Sequence, residues 1–132
     1  MGSALSNMLG GGEDAASSES EPSQVLTFSS SARWQLHFNE IKESSKLMVI
    51  DFSASWCGPC KMIMPAIREM AEKITDVSFV KLDVDEVPDV AKEFNVTAMP
   101  TFVLVKRGKE VERIIGAKKD ELENKVSKHR AQ

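Results

Sequence analysis

The sequence predicts an α/β domain in which a central mixed sheet of five strands carries helices on both faces. Apolar segments of strand length alternate with amphipathic segments of helical period, in the order β-α-β-α-β-α-β-β-α. Only the last two strands follow each other without a helix, so a short turn makes them an antiparallel pair. The chain has 132 residues, 42% of them hydrophobic, which suffices for one domain with a single core.

The first half of the domain is predicted to hold two strands and two helices. Residues 25 to 28 form a short strand, and Ser30 or Ser31 caps the helix that follows. The apolar stripe of that helix has spacings of four and three and consists of Trp34, Phe38 and Ile41. Residues 46 to 53 read as a buried strand. The inner face of the second helix consists of Ile63, Ala66, Ile67, Met70 and Ile74.

The second half adds three strands and two helices. Residues 77 to 84 alternate as a strand does, and Asp85 is expected to cap a short helix that ends near Phe94. Strands over 101 to 105 and 110 to 115 are joined by a turn in which Gly108 takes a positive φ. Residues 118 to 130 form an amphipathic helix with acids early and bases late, as its dipole favours.

Cys57 and Cys60 are the only cysteines, and they follow the second predicted strand in the sequence Trp56-Cys57-Gly58-Pro59-Cys60. At the start of a helix, two thiols three residues apart lie close enough to form a disulfide. Unpaired N–H groups and the helix dipole favour the thiolate of Cys57, which predicts that Cys57 attacks and that the more covered Cys60 resolves.

Three other interpretations of the pair are a zinc site, a structural disulfide and two inert thiols. A structural zinc ion needs about four ligands, and neither His37 nor His129 stands at ligand spacing from another Cys or His. We therefore expect no metal site. A structural disulfide closing so short a loop would constrain the unfolded chain only weakly. Two inert thiols remain as the chance alternative, and redox chemistry is the favoured interpretation.

Three further features surround the cysteines. Asp51 is a carboxylate in a buried strand. Desolvation would raise its pKa there, so that it could accept the proton of Cys60. The alternative is that the strand is partly exposed at Asp51. Lys81, on a neighbouring strand, is a candidate partner for it; the alternative is an ordinary surface lysine. Met99-Pro100 precedes a strand, and a cis peptide would leave the Met99 backbone open to an extended peptide. Trp56 is either core or an exposed docking residue.

The first 24 residues are predicted to be a disordered, acidic, Gly- and Ser-rich extension, with the domain occupying residues 25 to 132. Residues 1 to 30 carry four acids and no Lys or Arg, so the remaining 17 basic and 16 acidic side chains leave the domain at +1. No basic patch indicates nucleic acid, and no segment reads as a signal, transit peptide or membrane span. The expected location is a reducing compartment, the cytoplasm, with the mitochondrion less favoured.

One pattern in the extension bears on location. Met1-Gly2-Ser3-Ala4-Leu5-Ser6 fits the N-myristoylation motif at Gly2. A single acyl chain, with neither a second acylated cysteine nor a basic cluster beside it, gives only weak and reversible membrane binding.

Taken together, the motifs resemble the thioredoxin family over roughly residues 25 to 130. The resemblance rests on three motifs in chain order: Trp-Cys-Gly-Pro-Cys-Lys after Val-Ile-Asp-Phe, then Ala-Met-Pro-Thr-Phe, then Gly116-Ala117. The residues Ala-Ser before the cysteine motif resemble those of the plant h-type. The N-terminal extension resembles that of a subgroup with such extensions. Ser53 departs from the pattern, because many members carry a second tryptophan there.

The resemblance implies a thioredoxin fold, a cis Pro100, and Asp51 as a buried acid with Lys81 near it. It also implies a docking surface around the thiols, composed of Trp56, Gly58, Pro59, Met99, Pro100, Gly116 and Ala117. No cofactor is expected to be bound. The implied partners are a flavin-containing thioredoxin reductase, which passes electrons from NADPH to the Cys57–Cys60 disulfide, and disulfide-containing targets such as peroxiredoxins.

The sequence thus predicts a protein-disulfide reductase. Two alternatives stay open: a disulfide oxidase or isomerase, which the Gly-Pro dipeptide disfavours, and a redox-gated binding module in which turnover is incidental.

Overall fold

A computed structural model of the chain describes residues 24 to 130. It contains five strands, β1 (Val25–Phe28), β2 (Leu47–Ser53), β3 (Val77–Asp83), β4 (Thr101–Lys106) and β5 (Lys109–Ile115). Four helices accompany them: α1 (Ser31–Ile41), α2 (Gly58–Lys73), α3 (Pro88–Glu93) and α4 (Lys119–Arg130). The predicted order of elements is confirmed, with boundaries that shift by one residue at several ends.

The strands form one mixed sheet in the order β1-β3-β2-β4-β5. β3 runs parallel to both β1 and β2, whereas β2 and β4 are antiparallel, as are β4 and β5. β2 therefore lies at the centre of the sheet, and all seven of its residues are buried. The predicted mixed sheet of five strands is confirmed.

Side chains alternate between the two faces of the sheet, and each face has its own apolar cluster. The first cluster joins the sheet to α2 and α4, and its helical members include Ile63, Ile67, Met70, Leu122 and Val126. The second joins the sheet to α1 and α3, through residues that include Trp34, Phe38, Val90 and Ala91. Leu47 and Val49 belong to the first cluster, so the alternation along β2 turns Asp51 toward α2.

Local signals explain where several elements begin and end. The Ser30 hydroxyl accepts a hydrogen bond from the N–H of Arg33 at 3.3 Å and caps α1, as predicted. Arg107 and Gly108 join β4 to β5 with φ values of 52° and 81°. Two successive positive φ values match the twist of a tight hairpin, which confirms the predicted role of Gly108.

The predicted cap of the short helix α3 is wrong. α3 begins at Pro88 after Val87, and no side chain caps it. Asp85 lies outside the helix, because the carboxylate of Asp83 accepts its N–H at 2.8 Å and forms a local turn. Proline suits the first turn of a helix, since it needs no N–H partner there, and it sets the start of α3 in place of a polar cap.

The fold makes a prediction about Phe52, whose side chain is fully buried and whose ring centroid lies 5.5 Å from that of Phe94. We expect Phe52→Ala to lower the free energy of unfolding by about 3 to 5 kcal/mol, because it leaves a cavity between the sheet and α3. Phe52→Leu, the matched control, should cost far less. Urea unfolding of the oxidised protein measures both, and equal losses would contradict this packing.

Candidate active site

The two cysteines are joined by a disulfide where β2 passes into α2. Cys57 is the residue before the first turn of α2, and its Sγ accepts a hydrogen bond from the N–H of Cys60 at 3.2 Å. Pro59 lies at an early helical position, which needs no N–H partner. A sulfur in this place meets free N–H groups and the positive end of the helix dipole, both of which favour a thiolate over a thiol.

Both sulfurs are well covered in the disulfide state. Cys57 is 5% exposed and Cys60 is 2% exposed, so Cys60 is the more covered of the two, as predicted, although Cys57 is also buried. Ala54, Val84 and Met99 pack around the pair and exclude most of the solvent. What remains open is the rim around the disulfide, and a substrate must therefore reach Cys57 through a close fit to that rim.

One side of the rim is formed by a cis peptide bond between Met99 and Pro100, as the resemblance implied. The carbonyl oxygen of Met99 lies 3.7 Å from the Sγ of Cys57. The Thr101 hydroxyl donates to the carbonyl of Ala98 at 2.6 Å and fixes the turn from below. Among residues 24 to 130, no acceptor is recorded for the Met99 N–H. An extended peptide can therefore pair with this backbone beside the sulfur.

Further residues of the predicted docking surface lie near this rim. The N–H of Gly116 donates to the carbonyl of Pro100 at 2.8 Å, which brings the end of β5 to the cis peptide. Gly116 has a φ of 105°, a conformation that few other residues adopt, and the exposed Ala117 follows it. An added side chain at Gly58 would meet nothing within 4 Å, so that position lies open to solvent.

Trp56 is 66% exposed, which settles the choice between core and surface for this residue. Its indole Nε1 donates a hydrogen bond to the Oδ2 of Asp85 at 2.9 Å. The sequence did not indicate this pair, because the two residues are 29 positions apart and Asp85 reads as a helix cap. The bond orients the indole while its apolar body stays available for contact with a partner.

Asp51 lies in the middle of the sheet and is 2% exposed. Among the buried side chains of residues 24 to 130, the two carboxylate oxygens of Asp51 are the ones without a hydrogen-bond partner. Burial raises the pKa of Asp51 to about 7, and the positive charge of Lys81 opposes this shift. An ordinary carboxylate is thereby tuned to exchange a proton near neutral pH.

Lys81 is the in-register neighbour of Asp51 on β3, so both side chains face α2. The structure records no ion pair between them within 4 Å in the described part of the chain. Lys81 is therefore a nearby charge and not a direct partner, which refines the sequence prediction. Asp51 and Lys81 thus lie on the face of the sheet that α2 covers, and α2 carries Cys60 in its first turn.

Within residues 24 to 130, no group of three His, Cys, Asp or Glu side chains is arranged to hold a metal ion. No helix in the same part of the chain is long and apolar enough to cross a membrane. Gly2 and most of the predicted extension lie outside the described residues.

The chain is similar to known proteins of one kind. A family model described as thioredoxin matches residues 28 to 128. The protein called thioredoxin H2 from Arabidopsis thaliana is 80% identical over 133 residues, covering 99% of this chain and 100% of its own length. Thioredoxin H2-1 from Oryza sativa subsp. japonica is 53% identical over 113 residues, covering 86% of this chain and 82% of its own length.

Solved structures agree with these relatives. Thioredoxin NaTrxh from Nicotiana alata superimposes with a TM-score of 0.84 at 66% identity, covering 86% of this chain and 99% of its own. A poplar thioredoxin h gives a TM-score of 0.76 at 34% identity, covering 80% and 95%. With its disulfide in the first turn of α2, the chain therefore belongs to the thioredoxin family and is a thiol-disulfide oxidoreductase of the plant h type.

Proposed function

We propose that the protein reduces disulfides of target proteins in two steps with fixed roles for its cysteines. The observation that carries this proposal is the contact between the Cys57 sulfur and the Cys60 N–H at the start of α2, beside the open backbone of Met99. This position at the start of α2 gives Cys57 the environment of a nucleophile, because nearby N–H groups stabilise its thiolate. The reverse assignment would require the less exposed sulfur to attack first.

In the first step the reduced protein meets a target disulfide. The Cys57 thiolate attacks one sulfur of the target, which forms a mixed disulfide and releases the other target sulfur as a thiolate. The Met99 backbone aligns the target strand, and the body of Trp56 covers its other side. Because the rim leaves little of Cys57 exposed, a target must present its disulfide in an extended, accessible segment.

In the second step Cys60 resolves the mixed disulfide. Its thiol passes a proton toward Asp51, and the resulting thiolate attacks the Cys57 sulfur. The bond between Cys57 and the target breaks, the target sulfur leaves as a thiolate that takes up a proton from the solvent, and the Cys57–Cys60 disulfide forms. Two electrons pass from the protein to the target, so the cycle needs an external reductant to start again.

We propose that this reductant is a flavin-containing thioredoxin reductase that draws on NADPH, and that the targets include peroxiredoxins. Membership of the thioredoxin family supports both partners. The protein itself needs no bound cofactor, because its disulfide carries the electrons.

We also propose a cytoplasmic location with weak membrane association through a myristoyl chain on Gly2. The motif from Met1 to Ser6 supports this proposal. One acyl chain gives reversible binding, so the protein would divide between the membrane and the solution.

The proposed roles predict different outcomes for the two cysteine variants. Cys57→Ser should abolish the reduction of insulin disulfides, because no nucleophile remains. Cys60→Ser should accumulate a covalent mixed disulfide with its target, which non-reducing gel electrophoresis and mass spectrometry detect. Equal trapping by both variants would overturn the assignment, and the Cys57→Ser, Cys60→Ser double variant serves as the unreactive control.

Asp51 should make stability depend on pH. The buried carboxyl has a pKa of about 7 against 3.8 for the ordinary group, so the native state binds its proton more tightly than the unfolded chain does. Stability should therefore fall as the pH rises through this window and level off above it. At pH 8, Asp51→Asn should stabilise the oxidised protein by about 3 to 4 kcal/mol.

Urea unfolding from pH 3.5 to 8.5 tests this expectation. The advantage of Asp51→Asn should vanish at the acidic end, where the wild-type carboxyl is protonated in both states. Parallel stability curves for the two proteins would show that the buried carboxyl does not titrate differently on folding.

Acylation of Gly2 is tested by the intact mass of the protein isolated from plant cells. The wild type should carry the mass of one myristoyl group, and Gly2→Ala should not. Wild-type protein should divide between membrane and soluble fractions, whereas the variant should be soluble. An unmodified N-terminal glycine would refute the proposal and leave the redox chemistry untouched.

A further inference from the structure

A second feature of the site is a cavity beside Cys60, on the opposite side of the disulfide from the cis peptide. Its volume is ≈ 450 Å³. It is lined by Ser53, Ala54, Ser55, Cys60, Lys61, Met64, Arg68 and Lys81. The small side chains that end β2 leave this space open, because Ser53 and Ala54 are buried yet fill little volume.

The charges around the cavity have one sign. Lys61, Arg68 and Lys81 line it, and no carboxylate from residues 24 to 130 does. Within residues 24 to 130, neither Lys61 nor Lys81 makes an ion pair within 4 Å. Lys61 is exposed at the mouth, whereas Lys81 is half-buried. Lys61 and Lys81 therefore contribute a positive potential to the recess, which favours an anion.

The topology of the sheet places this cavity next to the docking surface. β2 ends at the disulfide, with β4 and its cis peptide on one side and β3 with Lys81 on the other. Ser55 lines the cavity and immediately precedes Trp56, and Lys61 directly follows Cys60. A polypeptide that crosses the disulfide therefore passes the mouth of the cavity.

We propose that this cavity is a specificity subsite for a target carboxylate, the side chain of an Asp or Glu close in sequence to the attacked cysteine. The proposal rests on the disulfide reduction proposed above and adds a preference to it. Lys61 meets the carboxylate at the mouth, and Lys81 attracts it from within. Selectivity for acidic segments arises from charge complementarity beside the reacting sulfurs.

The alternative occupant is a free inorganic anion, which the same cations would attract. A tethered carboxylate has the advantage that docking of the target has already brought it to the cavity, so its effective concentration is high. A free anion must bind from bulk solution against screening by salt. The experiment below separates the two sources.

The test uses synthetic peptides that each hold one intramolecular disulfide. The parent peptide has Gln at the positions two to four residues from the cysteines, and each variant replaces one Gln by Glu. We expect the best Glu peptide to have a kcat/KM about fivefold above the parent at low ionic strength, as two close cations would give. The advantage should shrink as salt is added.

Protein variants then assign the effect to the cavity. Lys61→Gln should reduce the Glu advantage to less than about twofold, and Lys61→Arg should restore it because the charge returns. Arg68→Gln provides a second change within the same cavity. Lys73→Gln, on the same helix but outside the cavity lining, is the matched control and should keep the full advantage.

Two results would overturn the subsite. One is a series in which no Glu peptide exceeds the parent, and the other is an advantage that survives both Lys61→Gln and Arg68→Gln. Inorganic phosphate could also inhibit the reduction of Glu and parent peptides equally, with the inhibition lost in Lys61→Gln. That result would assign the cavity to free anions and would also refute the proposal. The parent peptide reports reduction itself, so failure of the oxidoreductase proposal would appear as loss of turnover with every peptide.

Discussion

The site depends on the complete burial of β2. A strand covered on both faces has no solvated side, so every residue it carries toward α2 must tolerate an apolar environment. The carboxylate of Asp51 does not suit such an environment, and no hydrogen bond offsets the cost of burying its charge. The fold thereby buries the Asp51 carboxyl, which makes its ionisation costly, on the face of the sheet that is covered by the helix carrying the thiols. Stability is lower at neutral pH as a result, and the pKa of this carboxyl is about 7.

The same strand determines where the sulfurs lie. β2 ends at Ser53, and the short segment after it delivers Cys57 to the first turn of α2. Its neighbours in the sheet then divide the surroundings of the disulfide. β4 brings the cis peptide and the open Met99 backbone to one side, and β3 brings Lys81 to the other. The two proposed recognition sites, one for backbone and one for charge, thus lie on different sides of the sulfurs.

Local patterns in the sequence were sufficient to predict most of the fold and the reactive pair. The apolar run of β2, the serine cap of α1 and the glycine of the β4–β5 turn each act within a few residues, so their physical causes are visible in the chain. The cis peptide came from family resemblance. The Trp56–Asp85 hydrogen bond could not be predicted, because it joins segments that are distant in the sequence. Asp85 also stands where a helix cap is expected, so its pattern indicated a different role. The cavity was equally hidden, since its lining comes from three separate elements.

Lys81 connects the two halves of the site. It faces α2 in register with Asp51, and its charge holds the pKa of Asp51 below the value that burial alone would give. It also lines the cavity beside Cys60. A target carboxylate drawn toward Lys81 would offset part of that charge and so make Asp51 a stronger proton acceptor once ionised. Lys81 is therefore shared by the buried acid and the cavity, so that the proposed recognition of charge and the environment of Asp51 depend on the same side chain.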